Sequence, residues 1–191
     1  MNQKNLLEVD WSKIPAPADD GGAAHLAGKA LPPISLRATD ATMVTLSALS
    51  GRVVVFAYPR TGEPGRIALV DDWDMIPGAR GCTPQTCSFR DLFAELKAAG
   101  VARVFGLSTQ DTAYQTEMAS RLHLPFPVLS DEKLELTRAL RLPTMEVAGL
   151  VLIKRLALII DDARITHVFY PVFPPDRNAA EVLAFLKQNP L

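Results

Sequence analysis

The sequence holds only two cysteines among its 191 residues, Cys82 and Cys87, and only three histidines. So few thiols exclude a disulfide-stapled scaffold, and a domain of this length buries enough apolar surface to fold without staple or metal. The histidines, His25, His123 and His167, lie far from the cysteine pair in sequence, whereas zinc asks for four ligands at characteristic short spacings. No metal and no cofactor is expected. Charge of either sign is not in excess: 20 basic against 21 acidic residues leave a formal net charge of −1. The basic stripe of a nucleic-acid binder is missing. No apolar run approaches the roughly 20 residues that span a bilayer. The longest, at 147–160, is broken by Lys154 and Arg155. The opening MNQKNLLEVDWSKIP carries Glu8 and Asp10 where a secretory signal would be apolar. A cytoplasmic protein with no membrane partner is expected.

Hydrophobic residues make up 48% and charged residues 21%, a globular composition. Residues 1–28 read as an N-terminal extension, with PAPADDGG at 15–22 as turn and linker chemistry. Residues 29–191 read as one domain. Within it, Leu31 to Leu46 suggests a short edge hairpin. Arg52 to Tyr58 (RVVVFAY) is a continuous β-branched and aromatic run before Pro59, the pattern of a strand buried on both faces. Arg60 to Gly81 is a long loop rich in Gly, Pro and Asp, and long loops in compact domains usually serve function. From Cys82 the pattern turns helical, with Phe89, Leu92, Phe93 and Leu96 on one face and Gly100 as its end. Strands at Val101–Ser108 and Phe126–Leu129 alternate with helices at Ala113–Leu122 and Glu132–Leu140. Strands at Leu156–Ile160 and Ile165–Tyr170 flank a turn, and a helix from Asp176 to Gln188 closes the chain. This alternation predicts an α/β layered fold: a central mixed β-sheet flanked by helices, in the thioredoxin-like order of elements.

A close cysteine pair in a reducing compartment points to redox chemistry, to a metal or to two ordinary buried thiols. The flanking residues, PGARGCTPQTCSFRD at 77–91, bear on the choice. Thr83-Pro84 marks a helix start, because proline is tolerated in the first turn. Cys82 then sits where unpaired N–H groups and the helix dipole stabilise an anion, a setting that favours thiolate.

The segment GCTPQTCSFRD resembles the active-site stretch of peroxiredoxins of the bacterioferritin-comigratory, or Q, type. VVVFAYP (53–59), VFGLSTQD (104–111), PVLSDEKLELTRAL (127–140) and KRLALIIDDARITHVF (154–169) extend the likeness over Leu31 to Leu191. The resemblance implies a thiol-dependent peroxidase acting on hydrogen peroxide and organic hydroperoxides. Cys82 would be the peroxidatic cysteine and Cys87 the resolving one, joined in an intramolecular disulfide that thioredoxin or glutaredoxin reduces. It maps an active-site arginine to Arg155. Lys154, its neighbour, should face the other way. A monomer or weak dimer completes such a cycle. One departure stands out. The family places a threonine three residues before the cysteine, and here that position is Ala79. An insertion of about residues 65–80 explains the spacing, and Thr61 is the candidate to supply the hydroxyl. Tyr58 and Pro59 are expected to shape the site wall, and Trp73 to be a lid anchor or a surface packing residue. Two other readings remain: a dithiol–disulfide oxidoreductase, which lacks its usual Cys-x-x-Cys spacing, and a non-enzymatic redox sensor or binding module.

Overall fold

The computed structural model describes residues 9–190; the first eight residues of the expected extension, and Leu191, lie outside them. The centre of the molecule is β3 (Arg52–Ala57), buried along its whole length. Its alternate side chains feed two cores. Val53, Val55 and Ala57 face one, and Val54 and Phe56 face the other, with Tyr58 continuing the second set beyond the strand. A strand with two apolar faces must be covered on both, and the remaining elements supply that cover.

Seven strands form the main sheet. They are β1 (Ser35–Ala38), β2 (Met43–Thr45), β3, β4 (Val101–Ser108), β5 (Val128–Ser130), β8 (Leu156–Asp161) and β9 (Arg164–Phe169), in the spatial order β2-β1-β5-β4-β3-β8-β9. β3 runs parallel to β4, and β4 to β5, while β8 is antiparallel to β3. The sheet is therefore mixed. Helices α1 (Cys82–Asp91), α2 (Phe93–Ala98), α3 (Thr112–Arg121) and α5 (Asn178–Gln188) send residues into one core; α4 (Glu135–Leu140) sends Leu136 and Leu140 into the other. This is the thioredoxin-like layered arrangement that the pattern predicts. Among the described residues no helix is long and apolar enough to cross a membrane.

Three local differences have physical causes. The helix expected to run from Cys82 to Gly100 divides at Leu92, whose φ of −99° and ψ of 12° leave helical geometry. A hairpin, β6 (Thr144–Val147) with β7 (Leu150–Ile153), occupies a stretch expected to be loop and apolar run. Its two-residue turn is Ala148-Gly149, both at positive φ (50° and 75°). Such turns normally advertise themselves as Asn-Gly or Asp-Gly, so alanine hid this one. Thirdly, the expected boundary at residue 28 is no break in packing. Ala23 and Leu26 are buried in the core, and His25 Nε2 lies 2.9 Å from the Leu140 carbonyl oxygen.

Candidate active site

The antiparallel register sets Ala57 of β3 opposite Leu156 of β8. The residues just outside each strand end, Tyr58 and Arg155, are thereby brought to the same end of the sheet. Helix α1 starts there. Gly81 is its N-cap at φ +102°, a left-handed conformation suited to glycine, and no side chain caps the helix. The first internal bond runs from the Gln85 amide to the Gly81 carbonyl at 3.0 Å. Pro84 has no N–H to satisfy, so the uncommitted donors of the first turn belong to Cys82 and Thr83. At its far end α1 is pinned by Phe89, whose ring stacks on Phe56 of β3 with centroids 4.1 Å apart and planes 5° from parallel.

Cys82 is 3% exposed and Cys87 6%, and both are free thiols. Arg155 is 2% exposed, and its Nη2 lies 3.2 Å from Cys82 Sγ. The same nitrogen contacts the carbonyl oxygens of Gly78 (3.2 Å), Ala79 (3.3 Å) and Arg80 (3.0 Å). A guanidinium Nη carries two hydrogens, so four acceptors compete for two bonds. Nη1 donates to Gln85 Oε1, and Gln85 Nε2 donates to Asn178 Oδ1 at 2.9 Å. A buried polar chain thus runs from the sulfur through Arg155 and Gln85 to the start of α5. Cys82 Sγ also lies 3.5 Å from the Ala79 carbonyl, to which its thiol form can donate. The sulfur therefore has an acceptor for its proton and a cationic donor for its charge.

Two neighbouring groups, the Tyr58 phenol and the Cys87 thiol, are pushed toward their neutral forms. Burial, and then the negative charge of the Cys82 sulfur, push the Tyr58 phenol well up. Burial likewise pushes the Cys87 thiol up, with Asp91 adding to the shift and Arg90 and Arg121 opposing it. Both cysteines belong to one apolar cluster, but the contact with the Arg155 guanidinium is made by Cys82.

The structure brings Arg155 to Cys82 and places Cys87 further along the same helix, but gives Thr61 other partners. The Thr61 hydroxyl donates to Gln110 Oε1 at 3.1 Å, its amide donates to the same oxygen at 2.9 Å, and its carbonyl accepts from Tyr114 Oη at 3.2 Å. Cys82 is not among those partners. Burying a threonine commits its hydroxyl to the nearest acceptor, and Gln110 provides one. Of the backbone carbonyls at 78–80 that Arg155 contacts, that of Ala79 also faces Sγ. Trp73, expected as lid anchor or surface residue, is buried in a small cluster with Ala79, Val147 and Leu152. The 60–81 loop therefore packs on the β6–β7 hairpin and returns beside the sulfur. Lys154 pairs with Asp20 at 2.6 Å and not with the cysteine. Sequence reasoning missed Gln85 and Asn178. For Gln85 a signal existed, because it stands three positions after Cys82, on the same face of the helix. For Asn178, 93 residues further on, there was none.

Gly81 is irreplaceable on two grounds. A Cβ there would lie 2.6 Å from Trp11 Cη2 and 2.7 Å from Pro175 Cγ, and its φ disfavours any side chain. A Gly81→Ala protein should melt lower by about 5 °C, measured by circular dichroism. An unchanged midpoint would contradict the packing described.

A parallel-centred mixed sheet carrying a buried cysteine at an uncapped helix start, faced by a guanidinium, defines a member of the thioredoxin-like class. The Redoxin family model matches residues 26–183. The chain is 30% identical over 161 residues to the chloroplastic peroxiredoxin Q of Oryza sativa subsp. japonica, an overlap covering 84% of this chain and 66% of that protein. It is 30% identical over 162 residues to the peroxiredoxin Q of Sedum lineare, covering 84% and 77%. The crystal structure of peroxidoxin BcpB from Mycobacterium tuberculosis superposes with a TM-score of 0.69 at 25% identity, covering 86% of this chain and 98% of that one. The chain belongs to the Redoxin family and, within it, to the Q-type peroxiredoxins. It spans just under two thirds of the length of the rice relative.

Proposed function

We propose that this chain is a thiol-dependent peroxidase for hydrogen peroxide and organic hydroperoxides. The observation that carries this reading is the 3.2 Å approach of Arg155 Nη2 to Cys82 Sγ at the uncapped start of α1. In the first step the Cys82 thiolate attacks the terminal peroxide oxygen. The S–O bond forms as the O–O bond breaks, sulfur loses two electrons, and the leaving oxygen takes up a proton as water or alcohol. Negative charge migrates from sulfur to the leaving oxygen, and donors preorganised along that path lower the barrier. Arg155 and the first amides of α1 are those donors. The competition among four acceptors at Nη2 suits this task, since an N–H given to a carbonyl can be re-aimed at an arriving oxygen. Thr61 stays outside the reaction unless its hydroxyl leaves Gln110.

In the second step the Cys87 sulfur attacks the Cys82 sulfenic acid. An S–S bond forms, the S–O bond breaks, and water leaves with the Cys87 proton. An external dithiol, thioredoxin or glutaredoxin, then reduces the disulfide by exchange. Both cysteines come from one chain, so a monomer or weak dimer is sufficient, and a reducing compartment such as the cytoplasm supplies the dithiol.

Peroxide consumption with a dithiol reductant tests the reading directly. A Cys87→Ser protein should consume one equivalent of peroxide, stop at sulfenic acid and over-oxidise on further dosing. A sulfenate-specific probe follows this. Failure of even the first reaction in that variant would refute the assignment of roles.

A further inference from the structure

Trp11 reaches the start of α1 from a distant part of the chain. Its indole ring lies against Gly81 and Pro175, so closely that a single added Cβ on Gly81 would overlap both. The indole Nε1 donates to Asp176 Oδ2 at 2.9 Å, and the ring meets Phe173 edge-on at 6.0 Å. Trp11 opens a short 3-10 turn whose cap, Asp10, accepts from the Ser12 amide. One aromatic side chain thus bridges the N-cap of α1 and the turn that precedes α5.

The chemistry of the second step requires α1 to change. Five positions along a regular helix separate two residues by about 7.5 Å of axial rise and about 140° of rotation. A disulfide needs Cα atoms within about 7 Å and side chains that converge. Both cysteines lie in α1, so its first turn must unwind before they can bond. Unwinding moves the Gly81 backbone, which is the seat of the Trp11 ring. We propose that Trp11 is a positioning residue for the catalytic cycle, clamping the first turn of α1 in its helical form and so setting how long the Cys82 sulfenic acid persists. This rests on Cys87 being the resolving thiol. While the clamp holds, Cys82 faces Arg155 and the sulfenic acid waits. A second peroxide can then oxidise it to sulfinic acid, itself being reduced to water or alcohol. Once the clamp opens, Cys87 closes the disulfide.

The test uses the full chain as wild type, Trp11→Ala and Trp11→Phe. Quenched samples are analysed by mass spectrometry for the 82–87 disulfide and for sulfinic acid across a peroxide series. Loss of one aromatic contact and its hydrogen bond should speed disulfide closure about tenfold in Trp11→Ala, with about tenfold more peroxide needed for half over-oxidation. Trp11→Phe keeps a ring on Gly81 but loses the bond to Asp176, and should fall between. A purely structural Trp11 would lower the melting temperature and leave the closure rate alone. Equal closure rates in wild type and Trp11→Ala, with the disulfide forming in both, would overturn the clamp and leave the role of Cys87 standing. Absence of the disulfide from wild type itself would overturn the role of Cys87, and the clamp with it.

Discussion

Serine in place of Cys82 is expected to abolish peroxide reduction altogether. An alcohol stays protonated at neutral pH and is a far weaker nucleophile than a thiolate. Nothing nearby can take over the role. Cys87 is buried among apolar side chains with its thiol pushed up, and it lies outside the reach of Arg155 recorded for Cys82. Oxygen and sulfur differ little in volume, so the fold should survive, and circular dichroism should overlay wild type. The measurement is steady-state peroxide consumption with excess dithiol. Retained turnover in Cys82→Ser would transfer the nucleophile to Cys87 and dissolve the proposed mechanism.

Arg155→Met should slow the attack on peroxide by about two to three powers of ten, the size seen when one preorganised charge-stabilising donor is lost. It should also lower stability. The carbonyls of residues 78–80 and Gln85 Oε1 all lean on this guanidinium, and buried acceptors left unpaired cost about 1–3 kcal/mol each. The same residue thus holds the sulfur and ties the end of the 60–81 loop. The two effects separate cleanly: the second-order rate of sulfenic acid formation is measured well below the melting midpoint, and melting is followed independently. A lowered midpoint with an unchanged rate would reduce Arg155 to a structural tie.

Much of this site is written in short stretches of sequence. RVVVFAY names the central strand because an unbroken apolar run has to be buried on both faces. GCTPQTC places its first cysteine at a helix start because threonine and proline belong there. An arginine ahead of the apolar run LALII needs a partner, because burying an unpaired charge is costly, and Arg155 finds one in the sulfur. The parts that escaped are those in which remote segments meet. Thr61 looked like a substitute for the missing threonine by residue type alone, but Gln110 claims its hydroxyl across the neighbouring strand end. Asn178 joins the polar chain through the packing of α5 on α1, and no local pattern encodes that. Trp11 lies in a stretch whose prolines and acids read as linker. Its place is set by Gly81, Phe173 and Asp176 together, a coincidence of three distant segments. The β6–β7 hairpin was hidden by its alanine-glycine turn and by an apolar run that reads equally well as one strand.

The stack of Phe89 on Phe56 sets a limit on the unwinding that the proposed disulfide requires. Unwinding from Gly81 would meet, two residues beyond Cys87, a ring stacked face to face on the central strand of the sheet. That ring is a mechanical stop. Cys87 sits close to the fixed end and Cys82 at the free end, so in the proposed cycle the Cys82 sulfur would swing toward a nearly stationary partner. The stroke would be one helical turn, and it would draw on the Gln85–Asn178 hydrogen bond that ties this turn to α5. Each proposed turnover would therefore begin and end on the same platform, with the Phe89–Phe56 stack as its pivot.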